Sequence, residues 1–177
     1  MRYLSLSLFT LGVLLVYTSC RTAPAKLPQR LMTDYPPLDR KLARTVTVDS
    51  FVLSPAEARG LAGAIYLDAR SGEEYRVSHL PEAIRVGFRN PDIDWLHDVP
   101  RDTPLVVYCT IGYRSERVRD LLRQRGFTEV YNLYGSLYAW KLAGLPLVDA
   151  RGRTDRLHTY NRKWGRYVPD TIGIKVY

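Results

Sequence analysis

Short apolar runs alternate with capped helical segments through the middle of the chain, and this alternation limits the possible folds more than any other feature. The runs at 64–67 and 104–108 have the length and composition of strands buried on both faces. Ser54 and Ser71 each precede a glutamate by three residues, the pattern of a capping box at a helix N-terminus. Strands that alternate with helices predict an α/β fold, in which a central parallel sheet of about five strands is flanked by helices on both faces.

The clearest strand, at 104–108, is followed after a short loop by the clearest helix, predicted for 115–125. Val118 and Leu122 lie on the apolar face of this helix, and we expect Arg119 on the opposite, solvent-facing side. In open parallel sheets, binding sites form beyond the carboxyl ends of the strands. The loop that joins this strand to this helix is therefore the first candidate for a functional site.

The joining loop combines a thiol, a glycine and a cation in the order Cys109-Thr110-Ile111-Gly112-Tyr113-Arg114-Ser115. Gly112 allows the backbone to curl without a side-chain clash. The N–H groups of residues 110–115 are then expected to form an anion-binding nest at the positive end of the helix. These donors and the charge of Arg114 favour the ionised form of a thiol. The loop is predicted to hold Cys109 as a reactive thiolate, or an anion bound at its sulfur.

A buried structural cysteine at a strand end is the alternative interpretation of Cys109. The neighbouring glycine, arginine and helix start favour the reactive interpretation. The chain has three histidines and two cysteines, without C-x-x-C or H-E-x-x-H spacing, and we therefore expect no metal site.

The loop around Cys109 resembles the active-site loop of the rhodanese-like sulfurtransferases, C-x-x-G-x-R-S. Segments 67–75, 78–84 and 131–140 resemble other elements of that family, in the family's order. Within the second and third of these segments, some family glycines are replaced, by Ser78, Glu82 and Ser136. The resemblance covers about residues 45–149 and implies one rhodanese-like domain.

The resemblance implies a sulfurtransferase that needs no metal or organic cofactor. As a thiolate, Cys109 would take the outer sulfur of a donor such as thiosulfate or polysulfide, and pass it to a thiol or cyanide. Arg114 would stabilise negative charge on the donor and the leaving group. The substrate would contact the rest of the loop, namely Thr110, Ile111, Gly112, Tyr113 and Ser115. The mouth residues among these are uncharged, which argues against thiosulfate as the natural donor.

Three residues outside the loop are expected to support it. Asp68 and Arg70 are predicted to form an ion pair behind the loop with Glu74 as a partner, and His79 to pack and form hydrogen bonds.

Two other functions stay open: a non-catalytic rhodanese-like module that binds a partner or carries sulfur, and a phosphatase on the same fold. The phosphatase is the lesser alternative, because related cell-cycle phosphatases have a loop one residue longer than the four residues between Cys109 and Arg114.

The first twenty residues follow the pattern of an export signal. A positive start precedes the apolar stretch 3–17, which is shorter than the roughly 20 residues that a membrane span needs. Thr18-Ser19-Cys20 then resembles the lipobox of bacterial lipoproteins. We expect residues 1–19 to be a signal peptide and Cys20 to be lipidated, which would anchor the protein to a membrane of the bacterial cell envelope, facing the periplasm or the exterior. A plain cleaved signal with an incidental cysteine is the alternative.

Two segments flank the predicted domain. Residues 20–44 carry four prolines and little periodicity, and are predicted to be an extended tether. Residues 150–177 are a basic, aromatic extension that includes Tyr160 and Trp164. We expect its aromatic rings to pack on its own domain, with anionic lipid as the alternative contact. The net charge of +8 favours anionic partners, but export argues against nucleic acid.

Overall fold

The computed structural model describes residues 27–177, so the predicted signal peptide and Cys20 lie outside the described residues. The strands in the described part are β1 (Val52–Leu53), β2 (Ile65–Asp68), β3 (Ile84–Arg85), β4 (Leu105–Tyr108), β5 (Val130–Leu133), β6 (Leu147–Asp149), β7 (Gly152–Thr154), β8 (Arg156–His158) and β9 (Ile174–Val176). The α-helices are α1 (Pro36–Leu42), α2 (Pro55–Gly60), α3 (Gly72–Val77), α4 (Tyr113–Gln124), α5 (Ser136–Leu142) and α6 (Arg162–Gly165). None of these helices is both long enough and apolar enough to cross a bilayer.

Five parallel strands form the central sheet in the order β1-β5-β4-β2-β3, which confirms the predicted α/β fold. The side chains of the central strand β4 alternate between two apolar clusters. Val107 belongs to the cluster that contains Val118 and Leu122 of α4. Val106 belongs to the cluster on the other face, which contains Leu137 of α5. Helices therefore cover both faces of the sheet, and β4 points its carboxyl end at the loop that contains Cys109.

Both predicted capping boxes are present. The hydroxyl of Ser54 accepts a hydrogen bond from the Glu57 amide at the start of α2, and Ser71 does the same for Glu74 at the start of α3. In each box the glutamate carboxylate accepts a hydrogen bond from the serine amide in return. Local sequence thus places the beginnings of these two helices, as it predicts.

The prediction of an extended tether over residues 20–44 is wrong in its C-terminal part, because residues 36–42 form helix α1. Pro36 and Pro37 open this helix, where a missing N–H leaves no hydrogen bond unmade. Leu38 and Leu42 are fully buried in the same apolar cluster as α5. The apolar contacts made by these leucines stabilise a helix that its proline-rich sequence does not suggest.

Arg119 is buried, which contradicts its predicted position on the solvent-facing side of α4. Its guanidinium lies 3.1 Å from the Asp49 carboxylate and 2.8 Å from that of Asp120. Asp49 belongs to the connection between α1 and β1, and the neighbouring Thr47 amide also bonds to Glu116 of α4. A segment remote in sequence therefore covers a helix face that the local pattern assigns to solvent.

The C-terminal extension packs on the domain. Strand β7 pairs with β6, and β8 pairs with β9. Leu157 and Val168 are buried in the cluster that contains α1 and α5, and Trp164 packs against that cluster. The prediction that the aromatic rings of the extension pack on the domain is thus confirmed for Trp164, whereas Tyr160 is exposed.

Replacing Leu42 by alanine is expected to lower the free energy of unfolding by about 3 kcal/mol, because the change leaves a cavity in the apolar cluster. Met32→Ala is the matched control, since Met32 lies in the same segment with an exposed side chain. It is expected to change the stability by less than about 0.5 kcal/mol. Urea denaturation followed by circular dichroism measures both variants. Equally small losses in the two would contradict the packing of α1.

Candidate active site

The loop after β4 turns sharply at Gly112. This residue caps α4 with a φ of +114°, a conformation that side chains other than glycine rarely adopt. A Cβ atom here would also lie 2.8 Å from Cγ2 of Val46. Both constraints require glycine, and the resulting turn directs the Gly112 amide back toward Cys109.

Cys109 belongs to the lining of a pocket, although the residue is only 1% exposed. The Gly112 N–H donates a hydrogen bond to its sulfur over 3.2 Å. Burial raises the pKa of this thiol, but the charge of Arg114 and the amides of Ser115 and Gly112 outweigh burial and bring the pKa below its ordinary value. The predicted anion nest is therefore represented by two amides, together with one nearby cation.

Ser136 fixes the backbone of Cys109 at the start of the loop. Its hydroxyl accepts a hydrogen bond from the Cys109 amide over 3.0 Å and donates one to the Leu133 carbonyl over 3.1 Å. Ser136 and Glu82 both replace family glycines, and both keep a left-handed backbone, with φ of +48° and +60°. Such a conformation costs a non-glycine residue about 1–2 kcal/mol. Ser78, the third replacement, is extended and needs no glycine.

Asn132 ties together the two ends of the turn. Its Oδ1 accepts a hydrogen bond from the Ser115 hydroxyl over 2.7 Å, and its Nδ2 donates to the Gly112 carbonyl over 3.1 Å. All three residues are buried. Among the predicted substrate-binding residues, the structure thus places Gly112 and Ser115 beneath the pocket surface, whereas those that line the pocket are Thr110, Ile111 and Tyr113.

Arg114 is held by the carboxylate of Glu74, which the sequence predicts to lie beside Asp68 and Arg70. Its two terminal nitrogens each lie 2.7 Å from one oxygen of Glu74, and Nη2 also donates to the Thr110 hydroxyl. Burial opposes ionisation of Glu74, but its bonds to Arg114 and to the Ser71 amide lower the pKa to about 2. Glu74 therefore bonds directly to Arg114, whereas its predicted interaction with Arg70 is limited to attraction between the charges, without a described hydrogen bond or ion pair. The capping box of α3 aims this carboxylate at the loop.

Asp68 and Arg70 form the predicted ion pair behind the loop. The Arg70 guanidinium is fully buried, lies 2.6 Å from the Asp68 carboxylate and donates to the Ser78 carbonyl. The ring of His79 stacks on Tyr75 at 3.8 Å between centroids, and its Nδ1 bonds to the Tyr75 carbonyl. None of Asp68, Arg70 and His79 lines the pocket above Cys109. The contacts of Asp68, Arg70 and His79 therefore stabilise the structure around the loop and do not form part of the pocket surface.

The pocket above Cys109 has a volume of about 620 Å³ and is lined largely by residues that sequence reasoning missed. Beyond the loop, two lining residues come from the connection after β3, and five come from α1, the turn after it and the C-terminal extension. They are Phe88, Arg89, Lys41, Arg44, Thr45, Tyr160 and Trp164. The basic, aromatic composition of the extension was the available signal for two of them. In the described part of the chain, no three side chains of metal-ligating type are grouped.

The model of the rhodanese-like domain family matches residues 54–143, about half of the chain. The chain belongs to the rhodanese-like family. A sulfurtransferase of Allochromatium vinosum is 32% identical over 88 residues, which cover 50% of this chain and 81% of that protein. A thiosulfate sulfurtransferase of Actinobacillus pleuropneumoniae is 31% identical over 101 residues, which cover 55% and 93%.

The rhodanese-like fold is also evident from a solved structure. The thiosulfate sulfurtransferase of Pseudomonas aeruginosa superposes with a TM-score of 0.52 at 24% identity, covering 70% of this chain and 24% of that one. The segment matched by the family model spans residues 54–143, so it includes the Cys109 loop and Glu74 but neither α1 nor the C-terminal extension. The flanking residues of the pocket therefore lie outside the matched segment.

The alkylation rate of Cys109 is expected to reach half its maximum at lower pH than in the urea-unfolded protein, because a lowered pKa fills the thiolate form earlier as pH rises. Arg114→Met is expected to move this midpoint to higher pH, since it removes a nearby positive charge. Iodoacetamide labelling, read by mass spectrometry of the Cys109 peptide, gives both midpoints.

Arg125→Met is the control for that measurement, because Arg125 lies exposed at the far end of α4 and carries the same charge. It is expected to leave the midpoint unchanged. Identical midpoints in the folded and unfolded protein would contradict an activated thiol, and equal shifts in the two variants would remove Arg114 as its cause.

Proposed function

We propose that this rhodanese-like protein is a sulfurtransferase that carries the transferred sulfur as a persulfide on Cys109. The observation that carries the proposal is the Cys109 thiol in the pocket lining, which accepts an amide hydrogen bond and has a lowered pKa. The names of the relatives support the reaction class, since they include a sulfurtransferase and a thiosulfate sulfurtransferase.

The reaction consists of two displacements at sulfur. In the first, the Cys109 thiolate attacks the outer sulfur of thiosulfate, and the electron pair of the donor S–S bond leaves with sulfite. In the second, a thiolate or cyanide attacks the terminal sulfur of the persulfide and releases the Cys109 thiolate. The charge is conserved in each step, so neither step requires an oxidant or a reductant.

Arg114 and Gly112 have distinct roles in this scheme. The Gly112 amide lies where it can donate to the Cys109 sulfur before and after each displacement. Arg114 adds positive charge beside a nearly buried thiolate, and Glu74 fixes the direction of its guanidinium. The pair of Arg114 and Glu74 is neutral overall, so other cations must supply any net attraction for a donor anion.

Incubating the protein with thiosulfate is expected to add one sulfur atom to the Cys109 peptide, measured by mass spectrometry. Cyanide is expected to remove that sulfur and yield thiocyanate. Cys109→Ser is expected to show neither product, because it lacks the nucleophile, whereas Arg125→Met serves as a matched surface control with full activity. A folded protein that takes no sulfur from thiosulfate or polysulfide would favour the non-catalytic binding module instead.

We further propose that the protein works at the bacterial cell envelope, held by a lipid on Cys20. The support is the order of a positive start, an apolar stretch and Thr18-Ser19-Cys20 in the sequence. An acyl chain stabilises membrane attachment by burying methylene groups in the bilayer. The donor and acceptor would then be small sulfur compounds of the envelope.

Labelling of bacterial cells with a clickable palmitate analogue is expected to mark the wild-type protein in the membrane fraction. Cys20→Ser is expected to abolish the label, because it removes the acceptor sulfur, while Cys109→Ser is expected to keep it. An unlabelled wild-type protein, or a labelled Cys20→Ser variant, would refute lipidation at Cys20.

A further inference from the structure

The pocket above Cys109 is much larger than a small inorganic anion requires. Its volume of about 620 Å³ falls within the roughly 300–1,000 Å³ typical of sites for drug-sized organic ligands. Cys109 is part of its lining, so a bound molecule can place one sulfur at this residue and still contact the rest of the lining. The size of the pocket therefore fits a donor with an organic part.

The charge of the pocket is strongly positive. Its lining contains no aspartate or glutamate from the described part of the chain. Glu74 balances the charge of Arg114, but none of the ion pairs formed within residues 27–177 involves Lys41, Arg44 or Arg89. Three uncompensated cations thus surround the space above the sulfur and favour a ligand with more than one negative group.

Aromatic rings form the rim of the same pocket. Tyr113 and Tyr160 line the pocket and are 45% and 55% exposed, so their rings are accessible to a bound molecule. Tyr160 has a left-handed backbone with φ of +66°, and its amide is held by Nδ1 of His158 over 3.0 Å. Strained residues of this kind cluster at ligand sites. The Tyr160 ring lies 5.7 Å from the Arg114 guanidinium, next to the loop.

The two flanking segments meet beside the pocket. Lys41 of α1 places its ammonium 4.8 Å from the ring centroid of Trp164 in α6. Lys41 and Arg44 precede the family segment, and Tyr160 and Trp164 follow it. This wall of the pocket, which we call the flank wall and define by these four residues, therefore lies outside the segment that the family model matches.

We propose that the flank wall selects an organic sulfane-sulfur donor that has an aromatic or other flat apolar part and at least two negative groups. This inference rests on the proposed function and names the donor class for the same site. Lys41 and Arg44 attract the outer negative groups, and Tyr160 and Trp164 contact the flat part. This inference agrees with the expectation, based on the uncharged residues at the mouth of the loop, that thiosulfate is not the natural donor.

Aryl thiosulfonates are suitable probes, since they carry a sulfane sulfur on an aromatic sulfonyl group. The Cys109 thiolate attacks the terminal sulfur, the S–S bond of the probe breaks, and its electron pair leaves with the aryl sulfinate. The persulfide formed is the same as that from thiosulfate, and no redox partner is consumed. Comparing methanethiosulfonate, benzenethiosulfonate and a benzenethiosulfonate with two carboxylates separates the aromatic and anionic contributions.

The wild-type kcat/KM is expected to rise from methanethiosulfonate through benzenethiosulfonate to the dicarboxylate. The value for the dicarboxylate is also expected to exceed the value for thiosulfate. The double variant Lys41→Met with Arg44→Gln is expected to lose about tenfold in kcat/KM for the dicarboxylate, with little change for methanethiosulfonate. Its control is Arg151→Gln with Arg156→Gln, which removes two exposed charges outside the pocket. A flat wild-type series, or an equal loss in both double variants, would overturn the proposal.

Binding separates this inference from the proposed function. Calorimetry with the Cys109→Ser variant and the dicarboxylated aryl sulfinate measures recognition without sulfur transfer. Binding that weakens about tenfold when Lys41→Met and Arg44→Gln are added supports the flank wall, even if the wild type transfers no sulfur. Sulfur transfer by the wild type, together with binding that ignores these changes, leaves the proposed function intact and refutes the flank wall.

Discussion

A sulfur atom removed from water can carry a negative charge only where fixed dipoles and cations replace the lost hydration. Nearly every feature around Cys109 serves this requirement. Gly112 provides the turn that points an amide at the sulfur, and Arg114 brings a cation that Glu74 orients. The Asp68–Arg70 ion pair and the central position of β4 hold this arrangement from behind. The fold thus supplies a rigid support for one ionisable atom.

The structure around Cys109 is kept even where residues other than glycine replace glycines of the family pattern. Glycine is favoured at a left-handed position because it lacks a Cβ, yet Ser136 and Glu82 occupy such positions. At Ser136 the strain is offset by a hydroxyl that bonds to the Cys109 amide, a contact glycine could not make. The turn geometry is therefore kept, and the backbone of Cys109 gains an additional hydrogen bond.

Local signals predicted the parts of the structure whose causes are local. Capping boxes, a buried strand and the turn at Gly112 each depend on a few adjacent residues, so the sheet, the helix starts and the Cys109 loop could be inferred. The burial of Arg119 and the partner of Arg114 depend on contacts between distant segments. Helix α1 depends on leucines that pack against α5, and its prolines read locally as an extended chain. The pocket lining was missed for the same reason, because it brings together residues of α1 and of the C-terminal extension that are far apart in the sequence.

The position of the flank wall bears on how this chain can be divided. A fragment trimmed to residues 54–143 would retain the nucleophile, yet it would lose Leu42 and Leu157 from its core and Lys41 and Trp164 from its entrance. In the proposed scheme, donor recognition and sulfur transfer are thereby encoded in separate stretches of one folded unit. Substitutions in the outer stretches would then alter selectivity while the Cys109 loop stays unchanged.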